Sequence, residues 1–458
     1  MRMKIVQAAM RRTLAVAITS ALVVSGCATA GSTPAPAATT APASAAPGAS
    51  TGATTAPAVT PANTADIKIG HLSYYTGDFA DVGPWFDAMV KFTVDIINQD
   101  PPLGRKMVIS NQDIGTLGEG AVARKFVENE KVDVLLNVAN GYLAYRDWLM
   151  GWVKANNSPV LPTVHGGAIP PEYGGTLAEP IMRAAPQDSG QASAAVLHAS
   201  NLGAKKIVIV ATENSGSQLQ KVAAKKAAAK LGMEVLLELD IASTAPSYRA
   251  EINRIAGVNP DAVIIASQAQ DGGTLVKQAA EAGQSWTIIG TTEWLGEAFP
   301  ASATMAALGQ HKAVLISGFS YAPGAAWDYY QPLYDTYAAG VDALKALPAE
   351  NSYNIQFYDI LTLNALAIEK AGSLAVDKWL PAMRSIAMGP GTKCYNYGEC
   401  LKLIRAGTPV DYSGVTGEMD YTETGVVSGI YGISKWTSLT KIEQVLTLDG
   451  AAVFDLEK

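Results

Sequence analysis

The chain has 458 residues, with 34 Lys and Arg against 41 Asp and Glu, for a formal net charge of −7. Such a balance supplies no basic face for a phosphate backbone, which argues against a nucleic-acid partner. The length remaining after residue 65 suffices for two good-sized domains.

The opening stretch MRMKIVQAAMRR is basic without an acid, and TLAVAITSALVV after it is apolar but too short for a good transmembrane helix. That layout, over residues 1–26, is a secretory signal. At its end, Val24-Ser25-Gly26-Cys27 resembles the bacterial lipobox, in which the cysteine is diacylated on sulfur and becomes the new N-terminus. An ordinary signal peptide with a chance cysteine is the alternative. Residues 27–65 are Ala, Thr, Pro, Ser and Gly with no charge before Asp66. They cannot bury enough apolar surface to offset ordering entropy. They read as a tether with an r.m.s. span of roughly 35 Å. A GxSxG match from Gly48 to Gly52 lies inside this tract, where no strand-to-helix elbow forms.

From Asp66 onward, apolar runs alternate with amphipathic ones. IKIGHLSY is a buried strand, WFDAMVKFTVDIIN a helix, KMVISNQD a strand, EGAVARKFVENE a helix, VDVLLNVA a strand, YRDWLMGWVKANN a helix and SPVLPTV a strand. The series restarts with PIMRAA and the helix GQASAAVLHASNLG. The strands KKIVIVAT, MEVLLELDI, DAVIIASQ and WTIIGTT follow, separated by three helical runs. AVLISGFSY precedes three more helical stretches, and the Tyr- and Gly-rich end, YSGVTGEMDYTETGVVSGIYGISKW, is strand-like. Continuous apolar strands joined by crossover helices predict an α/β chain with parallel sheets covered on both faces, in two lobes. Ligands of such sheets bind beyond the carboxyl ends of the strands, so two facing lobes make a cleft. No segment after the leader is long and apolar enough to span a membrane.

Catalytic signatures are sparse. Walker A, HExxH and a strand-following GxGxxG are all missing, no nucleophile–base pair is evident, and the histidines His71, His165, His198 and His311 are isolated. The chain therefore reads as a binding protein rather than an enzyme, with no metal and no cofactor. Cys394 and Cys400, close together in an exported chain, read as a disulfide. The rival is a redox or metal pair, which the five intervening residues disfavour. NGYLAY follows a strand and opens a helix whose free amides favour an anionic group. In HGGAIPP the glycines let backbone N–H groups approach a ligand. His165 is either a loop residue bonded to backbone or a polar group facing the cleft. Glu293, an acid at a strand end, is either a cleft residue or a solvated surface carboxylate.

Three stretches carry a resemblance to a known family. IKIGHLSYYTGDFADVGPWFDAMVKFTVDIIN resembles the first strand, S/T-G turn and first helix of the branched-chain amino acid (Leu/Ile/Val-type) substrate-binding proteins of ABC transporters. IMRAAPQDSGQA is similar to their R-x-x-x-x-D-x-x-Q crossover, and CYNYGECLKLIRAGTPVDYSGVTGEMDY to their C-terminal region, which in many surface lipoproteins of this type holds a Cys pair. The resemblance implies the type I periplasmic binding (Venus-flytrap) fold with three crossings between lobes: lobe 1 at 66–185 plus 320–418, and lobe 2 at 186–319 plus 419–458. It places the head-group loop at Asn140, Gly141 and Tyr142, and the carboxylate-binding turn at His165, Gly166 and Gly167. Lobe 2 contacts fall at Ser215 and Gln268, and the acidic ammonium partner at Thr292 or Glu293. Two aromatic positions fall at Val82 and Tyr353.

A small-molecule ligand, an ABC permease as membrane partner, a lipid anchor, an extracytoplasmic location and a monomeric state are implied with it. A sensor of the same fold, signalling to a membrane kinase or chemoreceptor, is the alternative. For the anchor, Cys27→Ala is expected to abolish incorporation of labelled palmitate and to release the protein from membranes. A substituted protein that stays acylated would refute the lipobox reading.

Overall fold

The computed structural model describes residues 64–457 except 78–79, 81, 139–140, 165–168, 171 and 346. The leader, Cys27 and the tether up to residue 63 lie outside the described residues. Lobe 1 begins with β1 (Ile67–Ser73), β2 (Met107–Asp113), β3 (Val134–Leu136), β4 (Leu161–Thr163) and β5 (Ile181–Arg183). Every residue of β1 except Lys68 is buried, so the strand has no face to offer water and takes the centre of a parallel β2-β1-β3 sheet. Leu135 donates its N–H to the Val160 carbonyl at 2.9 Å, which carries the pairing on to the parallel β4-β5 pair.

Lobe 2 holds β6 (Lys206–Thr212), β7 (Glu234–Ile241), β8 (Ala262–Ala266), β9 (Thr287–Gly290) and β10 (Ala313–Phe319). The chain then returns to lobe 1 for three long helices, Ala325–Ala338, Ser352–Ala371 and Val376–Ala387, and for β11 (Thr392–Cys394), β12 (Val410–Gly414) and β13 (Gly417–Glu418). It ends in lobe 2 with β14 (Ile430–Ser438), β15 (Lys441–Asp449) and a helix, Gly450–Glu457. The lobe 2 sheet runs β15-β14-β10-β9-β8-β6-β7, parallel from β10 to β7 and antiparallel at β14 and β15. β8 is buried throughout, whereas β15 alternates exposed Lys441 and Glu443 with half-buried positions, as an edge strand does. β15 and the last helix extend the strand-like ending read from the sequence.

Each lobe has its own apolar core. One runs from Ile67 to Ala184 and resumes at Ala326; two clusters flank the lobe 2 sheet. The chain thus changes lobe between Ala184 and Ala192, and between Phe319 and Ala326. The third crossing corrects the expected boundary at 418/419: Met419, Tyr421 and Val427 pack in the lobe 1 core, and Tyr431 is the first of its stretch in lobe 2. The cause is Arg384, which donates to the carbonyls of Thr422, Glu423 and Gly175 at 3.0, 2.8 and 2.7 Å and holds that loop on lobe 1.

Cys394 and Cys400 are joined in a disulfide and fully buried, linking β11 to the helix Tyr397–Arg405. In chain-entropy terms so short a loop contributes about 2.4 kcal/mol. A larger constraint lies at Asp359, fully buried in the helix Ser352–Ala371. Its carboxylate accepts from the Tyr412 hydroxyl (2.7 Å), the Val415 N–H (3.0 Å), the Thr416 N–H (2.7 Å) and the Thr416 hydroxyl (2.7 Å). Burial raises its proton affinity, and these four donors work against that. Asp359→Ala leaves all four without a partner and is expected to cost about 2–4 kcal/mol in urea unfolding; a loss below 1 kcal/mol would show that the hub does not hold the turn.

Candidate functional site

In both lobes the loops after the parallel strands converge on the segments where the chain crosses. At the first crossing Pro186 lies under Gly429, whose φ of +63° is one that L side chains rarely adopt. A Cβ there would come within 2.3 Å of the proline ring. Ser320, at the second crossing, donates its N–H to the Ile430 carbonyl at 3.0 Å, and Ala322 donates to Val415 at 2.7 Å. The three crossings are therefore neighbours.

On the lobe 1 side the first cleft loop is organised by Asp113, at the end of β2. Its carboxylate accepts the N–H groups of Tyr75 (2.9 Å), Thr76 (3.3 Å) and Gly115 (3.0 Å), and the Thr76 hydroxyl at 2.7 Å. The helix Gly83–Ile97 follows, with Val82 at its N-cap, half-buried against the lobe 1 core. Tyr353 is partly buried as the second residue of the helix Ser352–Ala371, its ring 6.0 Å from Trp85 and 5.6 Å from Phe86. Asn351 caps that helix by accepting from the amides of Tyr353 and Asn354. Burial raises the Tyr353 hydroxyl well above the usual range, and the charges of Asp188 and Glu293, with Tyr74, push it further.

The lobe 2 side is built by polar side chains reaching over β9. Glu293 Oε2 accepts the Thr291 hydroxyl at 2.5 Å, and its Oε1 lies 3.4 Å from Gln220 Nε2. Gln191 Oε1 accepts the Thr292 N–H at 2.8 Å. Asp188, the N-cap of the helix Ser189–Asn201, makes no side-chain cap bond. Burial pushes its carboxyl up to about 7, and the Glu293 charge adds to the shift.

Thr292 and Glu293 stand side by side after β9 in lobe 2, while Tyr353 stands in lobe 1 against the rings of Trp85 and Phe86, on the helix that Val82 precedes. The structure does not bring Tyr142 into the cleft. That side chain is fully buried, its hydroxyl donating to Glu179 at 2.5 Å, while Arg146 grips Glu179 from the other side at 2.6 and 2.7 Å. The ring was expected to face the cleft; the buried carboxylate of Glu179 draws it inward. Gly141 also departs from expectation. Its amide, expected to be open to a ligand anion, donates to Glu119 Oε2 at 2.7 Å, and the Tyr145 hydroxyl donates to Glu119 Oε1 at 2.5 Å. Gln268 is exposed at the N-cap of the helix Ala269–Glu281, and Ser215 is the first residue of the helix Ser215–Lys230. Asn140, His165, Gly166 and Gly167 lie outside the described residues.

Sequence reasoning missed Asp188, Gln191, Gln220, Thr291 and Glu119 as site residues. Asp188 and Gln191 are the acid and the glutamine of the R-x-x-x-x-D-x-x-Q pattern in IMRAAPQDSGQA, and that pattern was the available signal. Gln220 carried none, since a glutamine in the first turns of a helix is ordinarily solvated.

The model of the family described as "periplasmic binding protein" matches residues 66–391, and the chain belongs to that family. No curated protein shows significant sequence similarity to it. Among solved structures, it is similar to a leucine-binding protein of Thermotoga maritima at 17% identity and a TM-score of 0.61, covering 84% of this chain and 99% of that one. It is also similar to a solute-binding protein of an ABC transporter from R. palustris in complex with benzoate, at 16% identity and a TM-score of 0.58, covering 83% and 96%. A fatty acid ABC transporter substrate-binding protein from Thermomonospora curvata matches at 17% identity and a TM-score of 0.59, covering 85% and 94%. These relatives are binding proteins, and they share the type I fold.

The raised Asp188 carboxyl carries a stability consequence. Its proton is bound more tightly in the folded chain, near pH 7, than in the unfolded chain, near 3.8. Its contribution is complete below about pH 4 and lost as pH rises through about 7. Asp188→Asn should therefore be relatively more stable than the parent at pH 8 than at pH 5. Melting midpoints of the two proteins that move in parallel between these pH values would refute the assignment.

Proposed function

We propose that this chain is an extracytoplasmic, lipid-anchored solute receptor of an ABC importer, closing its two lobes on a small organic molecule and delivering it to a membrane permease. The observation that supports this best is the three chain crossings lying side by side, with Gln191 at the first of them accepting the Thr292 N–H after β9, in a chain of the periplasmic binding family. A ligand favours the closed arrangement only by binding it more tightly than the open one, so it must touch both lobes. Three short crossings side by side are the kind of connection about which two lobes rotate. Asn140, His165, Gly166, Gly167, Ser215 and Gln268 are proposed as further ligand residues on the family resemblance alone. Among the described residues no helix is long and apolar enough to cross a membrane; the proposed attachment is through Cys27, on its lipobox-like context. A monomer is proposed, since one chain supplies both walls.

The test is a thermal-shift screen of amines, amino acids, amides and carboxylates, followed by small-angle scattering. A compound that raises the melting midpoint should also reduce the radius of gyration. Tyr353→Ala should weaken that compound about ten-fold or more in calorimetry. Binding that leaves the scattering dimensions and the Tyr353→Ala affinity unchanged would remove the cleft as the site.

A further inference from the structure

Aromatic rings collect at one place on the lobe 1 side of the cleft. The helix Gly83–Ile97 begins where the chain leaving β1 crosses it. A Cβ on Gly83 would lie 1.5 Å from the Tyr74 carbonyl oxygen, so the Tyr74 backbone rests directly on the first turn. Pro84 follows, and a first turn accepts it because the missing N–H has no helical partner there. The chain is fixed at that point, and Trp85 and Phe86 leave it together. Phe86 is the buried member, 2% exposed. Its ring meets Trp85 at 4.4 Å and 85°, Phe357 at 4.9 Å and 68°, and Tyr353 at 5.6 Å and 48°. Of these four rings only Trp85 and Tyr353 stay partly open to solvent. They lie 6.0 Å apart, inclined at 57°, and come from the first turns of two helices.

Two half-open rings inclined in this way form a corner backed by buried rings. A third aromatic ring entering the corner meets a face of one and an edge of the other, the arrangements aromatic pairs prefer at centroid distances of about 4.5–7 Å. A saturated ring offers neither face nor edge and gains from area burial alone. Phe86 and Phe357 hold the corner in place before any ligand arrives, so little ordering is left for binding to do. We infer that Trp85 is a specificity-determining residue of the proposed cleft, and that the ligand presents a flat unsaturated ring to the corner between Trp85 and Tyr353. The inference rests on the solute-receptor reading above and adds a chemical class for the part of the ligand that lobe 1 holds.

Ring pairs test it on the full chain. Benzoate with cyclohexanecarboxylate, and benzylamine with cyclohexylmethylamine, keep the charged group and change only the saturation of the ring. The saturated member has the larger apolar volume, so burial alone would favour it. In calorimetry the aromatic member of at least one pair should bind about three-fold or more tightly than its partner. Trp85→Leu should bring that ratio to about one, and Trp85→Phe should keep most of it. Trp152→Leu, on the helix Arg146–Asn156, should leave it unchanged. A ring that merely covers the core would lower the melting midpoint in Trp85→Leu without moving the ratio, and that result overturns the inference. Should Trp85→Leu fail to melt cooperatively, Tyr353→Leu tests the other wall of the corner with the same ratio as its readout. A saturated member that binds as tightly as its aromatic partner also overturns the inference, as does a lobe-closing ligand from the wider screen that has no unsaturated ring; both leave the receptor reading standing. A ring-bearing ligand from that screen is put through the same variants. If neither the ring pairs nor the wider screen yields a ligand that closes the lobes, the receptor reading falls and this inference with it.

Discussion

The architecture depends on three chain crossings being held side by side. Pro186 against Gly429, Ser320 bonded to Ile430 and Ala322 bonded to Val415 fix where one lobe ends and the other begins. Because the parallel strands of both sheets deliver their loops to this place, the crossings also decide which side chains face one another. Asp188 is two residues beyond Pro186, and Glu293 follows β9 at the same end of the sheet. Their proximity follows from the topology; no local sequence signal demands it. Gly429 belongs to the same constraint, since a side chain there would push two crossings apart.

Lobe 1 presents its cleft loops through a repeated device: a carboxylate behind each turn. Asp113 gathers the amides of the first loop, Glu119 holds the Gly141 turn, and Glu179 anchors Tyr142 and Arg146. Each of these acids satisfies donors that an irregular loop would otherwise leave open. The result is a rigid wall, and also a wall whose amides are largely occupied by the protein itself. Glu119 is therefore part of the scaffold that fixes the turn. Lobe 2 differs: Glu293 is oriented by a hydroxyl and an amide, which fix its position without neutralising it.

Much of the fold was legible because its signals are local. Strands such as β1, β6 and β8 are nearly continuous apolar runs, which only a doubly covered parallel sheet accommodates, and the helices between them keep their period. The helix Tyr397–Arg405 was absorbed into a family-like stretch, and β15 lacks an apolar face because it is an edge strand. The cleft was less legible because its contacts are not local. Gln191 meets Thr292 across 101 positions and Gln220 meets Glu293 across 73; Gln191 stood in a family-like pattern, but nothing around Gln220 announces its contact. Tyr142 shows the converse limit. An aromatic in a strand-end loop can face the cleft or the core, and the choice was made by Glu179, 37 residues away.

Asp188 shows what the crossing imposes on its own residues. It stands two positions after Pro186, which is fixed against Gly429, and it opens the helix Ser189–Asn201 without a side-chain cap bond. One turn on, Gln191 accepts the Thr292 N–H and ties the same helix end to the loop after β9. The aspartate therefore cannot turn out to water without disturbing those contacts, and burial first, then the Glu293 charge, holds its carboxyl up at about 7. A carboxyl held in this way costs stability once it ionises, so its retention at the crossing is set by the topology that places it there and not by what it adds to the fold.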